Sequence, residues 1–177
     1  EVPLWIDMEY HNIVDATIDL WSKLYGKGYD VGLVLQAYLK RTTRDVENID
    51  KISIFKKPKV RLVKGVYAPP KQISYRDPRE IFLNYDVVLR KMLEREFYVA
   101  IATQNIQVLH TSLETLFELD VPRDRFEFQV MYGVGEIIAR SLKKDGFKTK
   151  VYAPYGNYNS AYHYILRRCK KNPGIAR

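Results

Sequence analysis

Cysteine and histidine are scarce in this chain, and their scarcity excludes two kinds of site. The 177 residues contain one cysteine, Cys169, and three histidines, His11, His110 and His163. A single cysteine cannot form an internal disulfide and has no partner at metal-ligand spacing, which favours a reducing compartment. The histidines fall in three separate predicted elements, so no metal site is predicted.

Long apolar runs are also missing. The longest uncharged ones, residues 97–103 and 31–35, are far shorter than the roughly 20 residues of a membrane-spanning helix. We therefore expect a soluble chain, for which contact with a membrane surface stays open. The sequence begins with Glu1 and enters its first apolar run at once, so we expect that the true N-terminus is missing.

Dense runs of one charge are absent too. Lysine and arginine number 29 against 21 acidic residues, a net charge of +8, but the basic residues are scattered. This distribution favours a solvated basic surface, and we predict no nucleic-acid partner. Two alternatives stay open: attraction to an anionic membrane surface, and a basic nucleic-acid module whose binding would depend strongly on salt.

Apolar residues make up 46% of the chain, enough for one packed core, and the length predicts a single domain over residues 1–177. Six runs are near-continuously apolar, which is typical of strands covered on both faces. They span residues 2–8, 31–38, 59–64, 97–103, 126–131 and 150–153.

Between these runs, apolar residues recur at the spacing of a helix. The clearest helix start is Asp77-Pro78-Arg79-Glu80, with a capping aspartate, proline at the first helical position and glutamate three residues after the cap. A last helix is predicted at about residues 159–171. Repeated strand-then-helix units predict parallel strands joined by crossover helices, in a doubly wound sheet or a barrel.

Polar residues gather at the C-terminal ends of the predicted strands. They are Asp7, Glu9, Gln36, Arg61, Lys64, Thr103, Gln104, Asn105, Gln129 and Tyr152. Functional residues contributed by many strand ends are typical of the (βα)8 TIM-type barrel, which has eight units and roughly 250 residues. We therefore predict an α/β fold, a TIM-type barrel that is incomplete at its N-terminus and lacks the first two units.

The predicted strand at residues 59–64 ends with Arg61 and Lys64, followed by Gly65. Two cations and a glycine at a strand end suit an anion or an electron-rich ring, because glycine permits close approach of a ligand. Residues three apart on a strand face opposite ways, so Arg61 and Lys64 can share a ligand only if the chain bends near Gly65.

A second candidate binding group is Tyr164, Arg167 and Arg168, which share one face of the last predicted helix. Such an arginine pair is most often a solvated face. Beside a tyrosine it also forms a clamp for a carboxylate through charge-assisted bonds. Asp7, in an apolar strand, would need an amine or a lysine as its partner once buried.

Seven short motifs follow one another along almost the entire chain. They are Ile6-Asp7-Met8-Glu9, Gln36-Ala37-Tyr38-Leu39-Lys40-Arg41, Arg61-Leu62-Val63-Lys64-Gly65-Val66-Tyr67, Ala102-Thr103-Gln104-Asn105, Phe126-Glu127-Phe128-Gln129 with Met131-Tyr132-Gly133, Tyr152-Ala153-Pro154-Tyr155-Gly156, and Tyr164 with Arg167-Arg168. In type and order they resemble those of proline dehydrogenases, flavoenzymes that oxidise L-proline to Δ1-pyrroline-5-carboxylate. The resemblance implies a distorted (βα)8 barrel of which this chain covers strands three to eight. It also implies that a lysine partner for Asp7 lies in the missing part.

The resemblance also implies roles for individual residues. FAD would be bound by Gln36, Arg61, Val63, Lys64, Gly65, Tyr67, Thr103, Gln104 and Asn105. L-proline would be surrounded by Asp7, Met131, Tyr152, Tyr164, Arg167 and Arg168. The catalytic residues would be Asp7, Arg61 and Tyr152. A quinone would accept the electrons, which implies a cytoplasmic protein in peripheral contact with the inner membrane surface.

Four positions depart from the family pattern. Gln104 stands where histidine is usual, Met131 where leucine is, Ala68 where a larger apolar residue is common, and Lys171 where a glutamate follows the arginine pair. Lys171 reverses a charge near the clamp. The alternative interpretation is therefore a degenerate or truncated barrel scaffold without flavin or activity, unless a partner or the missing segment completes the barrel.

Overall fold

A computed structural model describes residues 4–53 and 56–156, together with Tyr162 and Leu166. Strands and helices alternate along this part of the chain. The strands are β1 (Leu4–Ile6), β2 (Val31–Gln36), β3 (Lys59–Val63), β4 (Tyr98–Ala102), β5 (Phe126–Met131) and β6 (Thr149–Tyr152). The helices are α1 (Val14–Gly26), α2 (Thr42–Ile52), α3 (Pro78–Glu94), α4 (Ile106–Glu118) and α5 (Glu136–Lys144), with 3-10 turns at His11–Ile13 and Arg123–Arg125.

The six described strands form one parallel sheet, and their order in the sheet is their order in the sequence. Each strand pairs with its sequence neighbours, so that β1 and β6 are the two edges. A doubly wound sheet reverses its strand order partway across, so that alternative is excluded. The predicted parallel α/β architecture is confirmed, although the described residues do not form a closed eight-strand barrel.

One face of the sheet is packed against the helices. Its residues are Leu33, Leu35, Val60, Leu62, Val99, Ile101, Phe126 and Phe128, all of them members of the main apolar core. Helix side chains such as Trp21, Val46 and Leu89 belong to the same core. Burial of one large apolar side chain contributes about 1.5–3 kcal/mol, so this face holds sheet and helices together.

The opposite face of the sheet carries polar and small residues. Arg61 of β3 is in register with Val34 on one side and Ala100 on the other, and Ala100 is in register with Glu127 of β5. The prediction that every strand is covered on both faces is wrong for β3, where burial alternates, and for β6, which is largely exposed. On β3 the alternation arises because one face carries polar side chains and not a second apolar layer. β6 is an edge strand of the described sheet, so even its helix-side residue Val151 is exposed.

The sheet curls toward this second face. In a flat sheet, β1 and β5 would lie about 19 Å apart, four spacings of about 4.8 Å. Yet the Arg61 guanidinium on β3 donates both to Asp7, which follows β1, and to Gln129 on β5. A single side chain can reach both only if the sheet bends around it, so the polar face is the concave inside of an arc.

Local signals set the starts of two helices. The Asp77 side chain accepts a hydrogen bond from the backbone N–H of Arg79, and Pro78 opens α3, which confirms the predicted helix start. Asn105 caps α4 by accepting from the Val108 N–H at 3.0 Å. Within the described ranges, no helix combines the length and apolar character that crossing a bilayer requires. The helix predicted at about residues 159–171 lies outside the described residues.

Candidate functional site

Arg61 lies at the centre of the concave face. Its Nε donates to Gln129 Oε1 at 2.6 Å and its Nη1 to Asp7 Oδ1 at 2.7 Å. The guanidinium carbon lies 4.8 Å from the centroid of the Trp5 ring and 5.9 Å from that of Tyr152. Only 12% of the side chain is exposed. Two acceptors and two aromatic rings therefore hold the guanidinium in one orientation.

The Trp5 ring reaches this position because β2 has a glycine beside it. A Cβ atom on Gly32 would lie 2.4 Å from the Trp5 ring, closer than any side chain could tolerate. Gly32 is in register with Trp5, so the ring lies directly over the backbone of the neighbouring strand. The sequence did not identify Trp5 as a site residue, although an aromatic residue opposite a strand glycine signals close packing of this kind.

Asp7 follows the last residue of β1 and pairs with Arg61 among the described residues. The lysine partner that the resemblance places outside this chain stays a prediction. The Asp7 side chain is 52% exposed, so the expected burial is wrong. The cause is the short β1, which ends at Ile6 and leaves Asp7 on the loop at the open end of the arc. There the carboxylate can meet both Arg61 and a ligand from solvent.

Gln36, the last residue of β2, is buried beside this loop. Its Nε2 donates to the carbonyls of Met8 at 3.0 Å and Glu9 at 3.1 Å. Its Oε1 accepts from no described residue, although it is shielded from water. Buried acceptors are rarely left without a donor, so this oxygen is a natural contact for an N–H of a ligand.

The loop after β3 turns sharply at Gly65. This glycine has φ of +102°, and a Cβ there would lie 1.9 Å from the Tyr38 ring. The bend predicted at Gly65 is therefore present. It does not bring Lys64 to Arg61, because the Lys64 ammonium lies 5.5 Å from the centroid of the Phe82 ring of α3, on the helix side of the sheet.

A cavity of about 410 Å³ opens beside this loop, with Lys64, Gly65 and Tyr67 in its lining. The Tyr67 hydroxyl donates to the Glu9 carboxylate, and its ring lies 4.2 Å from that of Tyr10, centroid to centroid. The loops after β1 and β3 are thus joined by side chains. Val63, the last residue of β3, is in register with Gln36 on the concave side.

The remaining predicted contacts follow β4, β5 and β6. Thr103 Oγ1 accepts from the Asn105 N–H at 3.1 Å, which orders the turn around Gln104. Met131 and Tyr152 end their strands in register with each other. The structure therefore brings most of the predicted residues to one rim. Tyr164, Arg167 and Arg168, together with Lys171, lie outside the described residues.

Glu127 is a further buried group that the sequence did not single out. It is fully buried, and its Oε1 accepts from Gln129 Nε2 at 2.6 Å. Its Oε2 accepts from the Tyr98 hydroxyl at 2.7 Å and lies 3.0 Å from Lys150 Nζ. A glutamate between two phenylalanines in a buried strand was the signal available in the sequence, because a buried carboxylate requires such partners.

Burial alone would raise the pKa of the Glu127 carboxyl, but hydrogen bonds, the first of them from Tyr98 and Gln129, outweigh it and hold the pKa below its ordinary value. The pKa of the Tyr98 hydroxyl is raised well above its usual range by burial and by the adjacent Glu127. Glu127 is therefore a charged carboxylate at neutral pH, and Tyr98 is its neutral donor. Within the described ranges, no group of three or more histidine, cysteine or acidic side chains could hold a metal ion.

The described residues form a curled parallel sheet with helices on one face, and polar side chains gather toward the carboxyl ends of its strands. This arrangement defines an α/β protein. The chain belongs to the proline dehydrogenase family, because the sequence profile of that family matches residues 1–176. The family predicted from the motifs is thereby confirmed.

Individual relatives agree with this placement. Proline dehydrogenase 2 of Bacillus subtilis (strain 168) is 33% identical over 173 residues, which are 98% of this chain and 55% of that protein. Proline dehydrogenase of Deinococcus radiodurans is 31% identical over 170 residues, 95% of this chain and 53% of that protein. The chain thus spans about half the length of the curated relatives it matches.

The fold has a counterpart among crystal structures. Proline utilization A (PutA) from Bdellovibrio bacteriovorus, in a form inactivated by N-propargylglycine, matches with a TM-score of 0.87 and 27% identity. The match covers 94% of this chain and 19% of that one. The curled parallel sheet therefore resembles one part of a much larger protein.

Proposed function

We propose that this chain is the flavin- and proline-binding part of a proline dehydrogenase, which oxidises L-proline to Δ1-pyrroline-5-carboxylate by hydride transfer to FAD. The observation that supports this best is the fixed Arg61 guanidinium at the centre of the concave face, in a chain of this family. When bound, FAD supplies the acceptor for the hydride that proline gives up.

The residues around Arg61 fit a flat ring that carries carbonyl and N–H groups. Gln36 Oε1 is a buried acceptor without a partner among the described residues. A guanidinium carries five N–H donors, and the described residues accept from Nε and Nη1 of Arg61. Ala102, in register with Val63 on that face, is only partly buried and has a small side chain that leaves room beside it. A flavin would find there an acceptor, donors and space.

We assign the remaining cofactor contacts to the same rim. The full set is Gln36, Arg61, Val63, Lys64, Gly65, Tyr67, Thr103, Gln104 and Asn105. Since Lys64 lies on the helix side of the sheet, its contact is assigned to a different part of FAD from that of Arg61. A fixed cation at the concave face would stabilise negative charge that develops on a bound ring.

The substrate would lie over the same face. Its contacts are assigned to Asp7, Met131, Tyr152, Tyr164, Arg167 and Arg168. The arginine pair would bind the proline carboxylate through charge-assisted bonds. The Asp7 carboxylate, half-exposed beside Arg61, would attract the amine, and the Tyr152 ring would cover the substrate ring. Together these groups would fix the reacting carbon in one orientation.

We also propose that a quinone accepts the electrons. Quinones dissolve in the lipid phase, so the protein would be cytoplasmic and contact the inner membrane surface peripherally. The net charge of +8 supports attraction to an anionic surface. The strands missing from the arc would come from the rest of the protein or from a partner.

The test is flavin binding by the full-length protein. We expect purified protein to retain FAD through gel filtration and to lose its visible flavin absorbance when L-proline is added without oxygen. D-Proline is the control for substrate geometry. Arg61→Met should lower the rate of reduction by about 10²-fold, as expected for loss of a fixed donor at a developing charge.

A flavin-free scaffold is the competing function, and the Gln104 and Lys171 positions favour it. Colourless protein that cannot be reconstituted with FAD would support the scaffold and contradict our proposal. Protein that binds FAD but is not bleached by L-proline would retain the cofactor assignment and refute the substrate assignment.

A further inference from the structure

Glu127 presents an energetic problem that the proposed chemistry does not explain. A fully buried carboxylate loses several kcal/mol of hydration, and apolar residues of similar size are often at least as stable in such a position. Here the charge is retained and surrounded by donors from β4, β5, β6 and the residue just before β6. They are Tyr98, Gln129, Lys148 and Lys150. An arrangement of this kind points to a role for the charge itself.

The hydrogen bonds lead from this charge to Arg61. Glu127 and Gln129 are two residues apart on β5 and therefore project from the same face. The Gln129 amide donates to Glu127 through Nε2 and accepts from Arg61 Nε through Oε1, each at 2.6 Å. Gln129 is thus a bridge with a donor at one end and an acceptor at the other.

The charge on Glu127 fixes the direction of that bridge. An ionised carboxylate only accepts hydrogen bonds, so it can pair only with the Nε2 end of the Gln129 amide. The Oε1 end must then face Arg61, which only donates. If Glu127 were neutral and able to donate, the amide could turn over and present its N–H groups to the guanidinium.

We infer that Glu127 is a positioning residue, which holds the Arg61 guanidinium in its productive orientation through Gln129. The inference rests on the proposed function, because it assigns Arg61 to the reacting end of the site. Tyr98 and Lys150 serve the same purpose one step further out, since they keep the carboxylate in place. Outer partners of this kind typically change affinity or activity by about 10–100-fold when they are removed.

The first test compares Glu127→Gln with the wild type in the flavin-loaded, full-length protein. We expect kcat for L-proline to fall about tenfold with little change in KM, because substrate contacts remain while Arg61 is displaced. Glu47→Gln is the matched control, since it removes a carboxylate from an ion pair with Lys91 in the helix layer. An unchanged kcat in folded Glu127→Gln would overturn the inference.

A reciprocal exchange separates orientation from mere stability. In Glu127→Gln/Gln129→Glu, the new glutamate can accept from Arg61 while the new glutamine donates to it. We expect this double variant to recover much of the lost kcat, which a purely structural role for Glu127 would not produce. If Glu127→Gln does not fold, Gln129→Met tests the same step, because it breaks the bridge and leaves the Glu127 carboxylate with Tyr98 and Lys150.

A second readout does not depend on activity. The Arg61 Nε–H signal, assigned by its loss in Arg61→Lys, should exchange slowly with solvent in the wild type and about tenfold faster in Glu127→Gln. Equal exchange rates would overturn the inference. Should the wild type fail to oxidise proline, the proposed function fails, and this exchange comparison alone decides whether Glu127 positions Arg61.

Discussion

At the scale of single residues, Gly65 combines two requirements that only glycine meets. Its φ of +102° is unfavourable for other residues, and the Tyr38 ring lies where a side chain would project. The loop that carries Lys64 and Tyr67 therefore leaves β3 in one direction only. The position of the predicted cofactor contacts therefore depends on Gly65 having no side chain.

We predict that Gly65→Ala destabilises the protein more than Gly28→Ala. Both glycines have positive φ, so alanine costs about 1–2 kcal/mol at either position. No atom lies within 4 Å of a Cβ on Gly28, whereas the Tyr38 ring would overlap one on Gly65 and add about 1–3 kcal/mol. Urea denaturation gives the free energy of unfolding of each variant.

The Tyr38 ring provides the internal check on this prediction. In a Tyr38→Ala background the overlap is absent, so Gly65→Ala and Gly28→Ala should then cost similar amounts. A Gly65→Ala penalty that persists unchanged in that background would show that the overlap with Tyr38 is not its cause.

At the scale of elements, stability and the candidate site lie at opposite ends of the strands. Asp30, just before β2, pairs with Lys59, the first residue of β3, at 2.7 Å between Oδ2 and Nζ. The Arg61 group lies toward the other ends of the same strands. In barrel enzymes the amino ends of strands likewise serve stability and the carboxyl ends serve chemistry.

We predict that Lys59→Met removes a pH-dependent part of the stability. The hydrogen bond from Lys59 is the main reason why the pKa of Asp30 lies below its ordinary value of 3.8. A carboxyl with a lowered pKa stabilises the fold above its unfolded pKa, and this contribution disappears as the pH falls through the folded pKa. The unfolding free energies of wild type and Lys59→Met should therefore differ above about pH 5 and converge below pH 3.8.

Lys23→Met is the control for this experiment, because the Lys23–Asp19 pair is exposed on α1 and such pairs contribute little. Its denaturation midpoint should follow that of the wild type across the pH range. A constant difference between wild type and Lys59→Met from pH 3 to pH 7 would contradict the assigned role of Asp30.

Helices and strands could be predicted from the sequence where the residues that determine them lie close together in the chain. The Asp77 cap and the apolar runs act within a few residues, so the helix start, the strands and the α/β class follow from them. The partners of Arg61 could not be predicted from local sequence. Gln129 is 68 residues away, and only the curl of the sheet brings it close. Burial of Asp7 was predicted from its apolar run, but β1 ends one residue earlier.

At the scale of the whole molecule, the excess of basic residues is the least specific feature and the most easily tested. Some of these basic residues line a cavity of about 500 Å³, whose wall includes His11, Lys40 and Arg44. Arg41, in the same wall, is already paired with Asp45. Lys40 and Arg44 are therefore the natural charges with which to test attraction to a surface.

We predict that the protein binds vesicles of phosphatidylglycerol and phosphatidylcholine better than vesicles of phosphatidylcholine alone. Cosedimentation should weaken as salt rises, because the Debye length falls from about 10 Å at 0.1 M to about 3 Å at 1 M. Lys40→Glu/Arg44→Glu should reduce binding more than the matched change Lys143→Glu/Lys144→Glu on α5. No binding to either vesicle at low salt would contradict the proposed membrane contact.

The order of the strands also bears on how the chain assembles during synthesis. Since each described strand pairs with the strand before it, every new strand-helix unit finds its partner surface already present on the ribosome-proximal end of the growing arc. Contacts between adjacent units have shorter sequence separations than contacts that skip a unit would have, which lowers the entropy cost of closing each connection. Folding can then proceed in the order of translation, as in repeat proteins, with β6 the last strand of the arc to find its place.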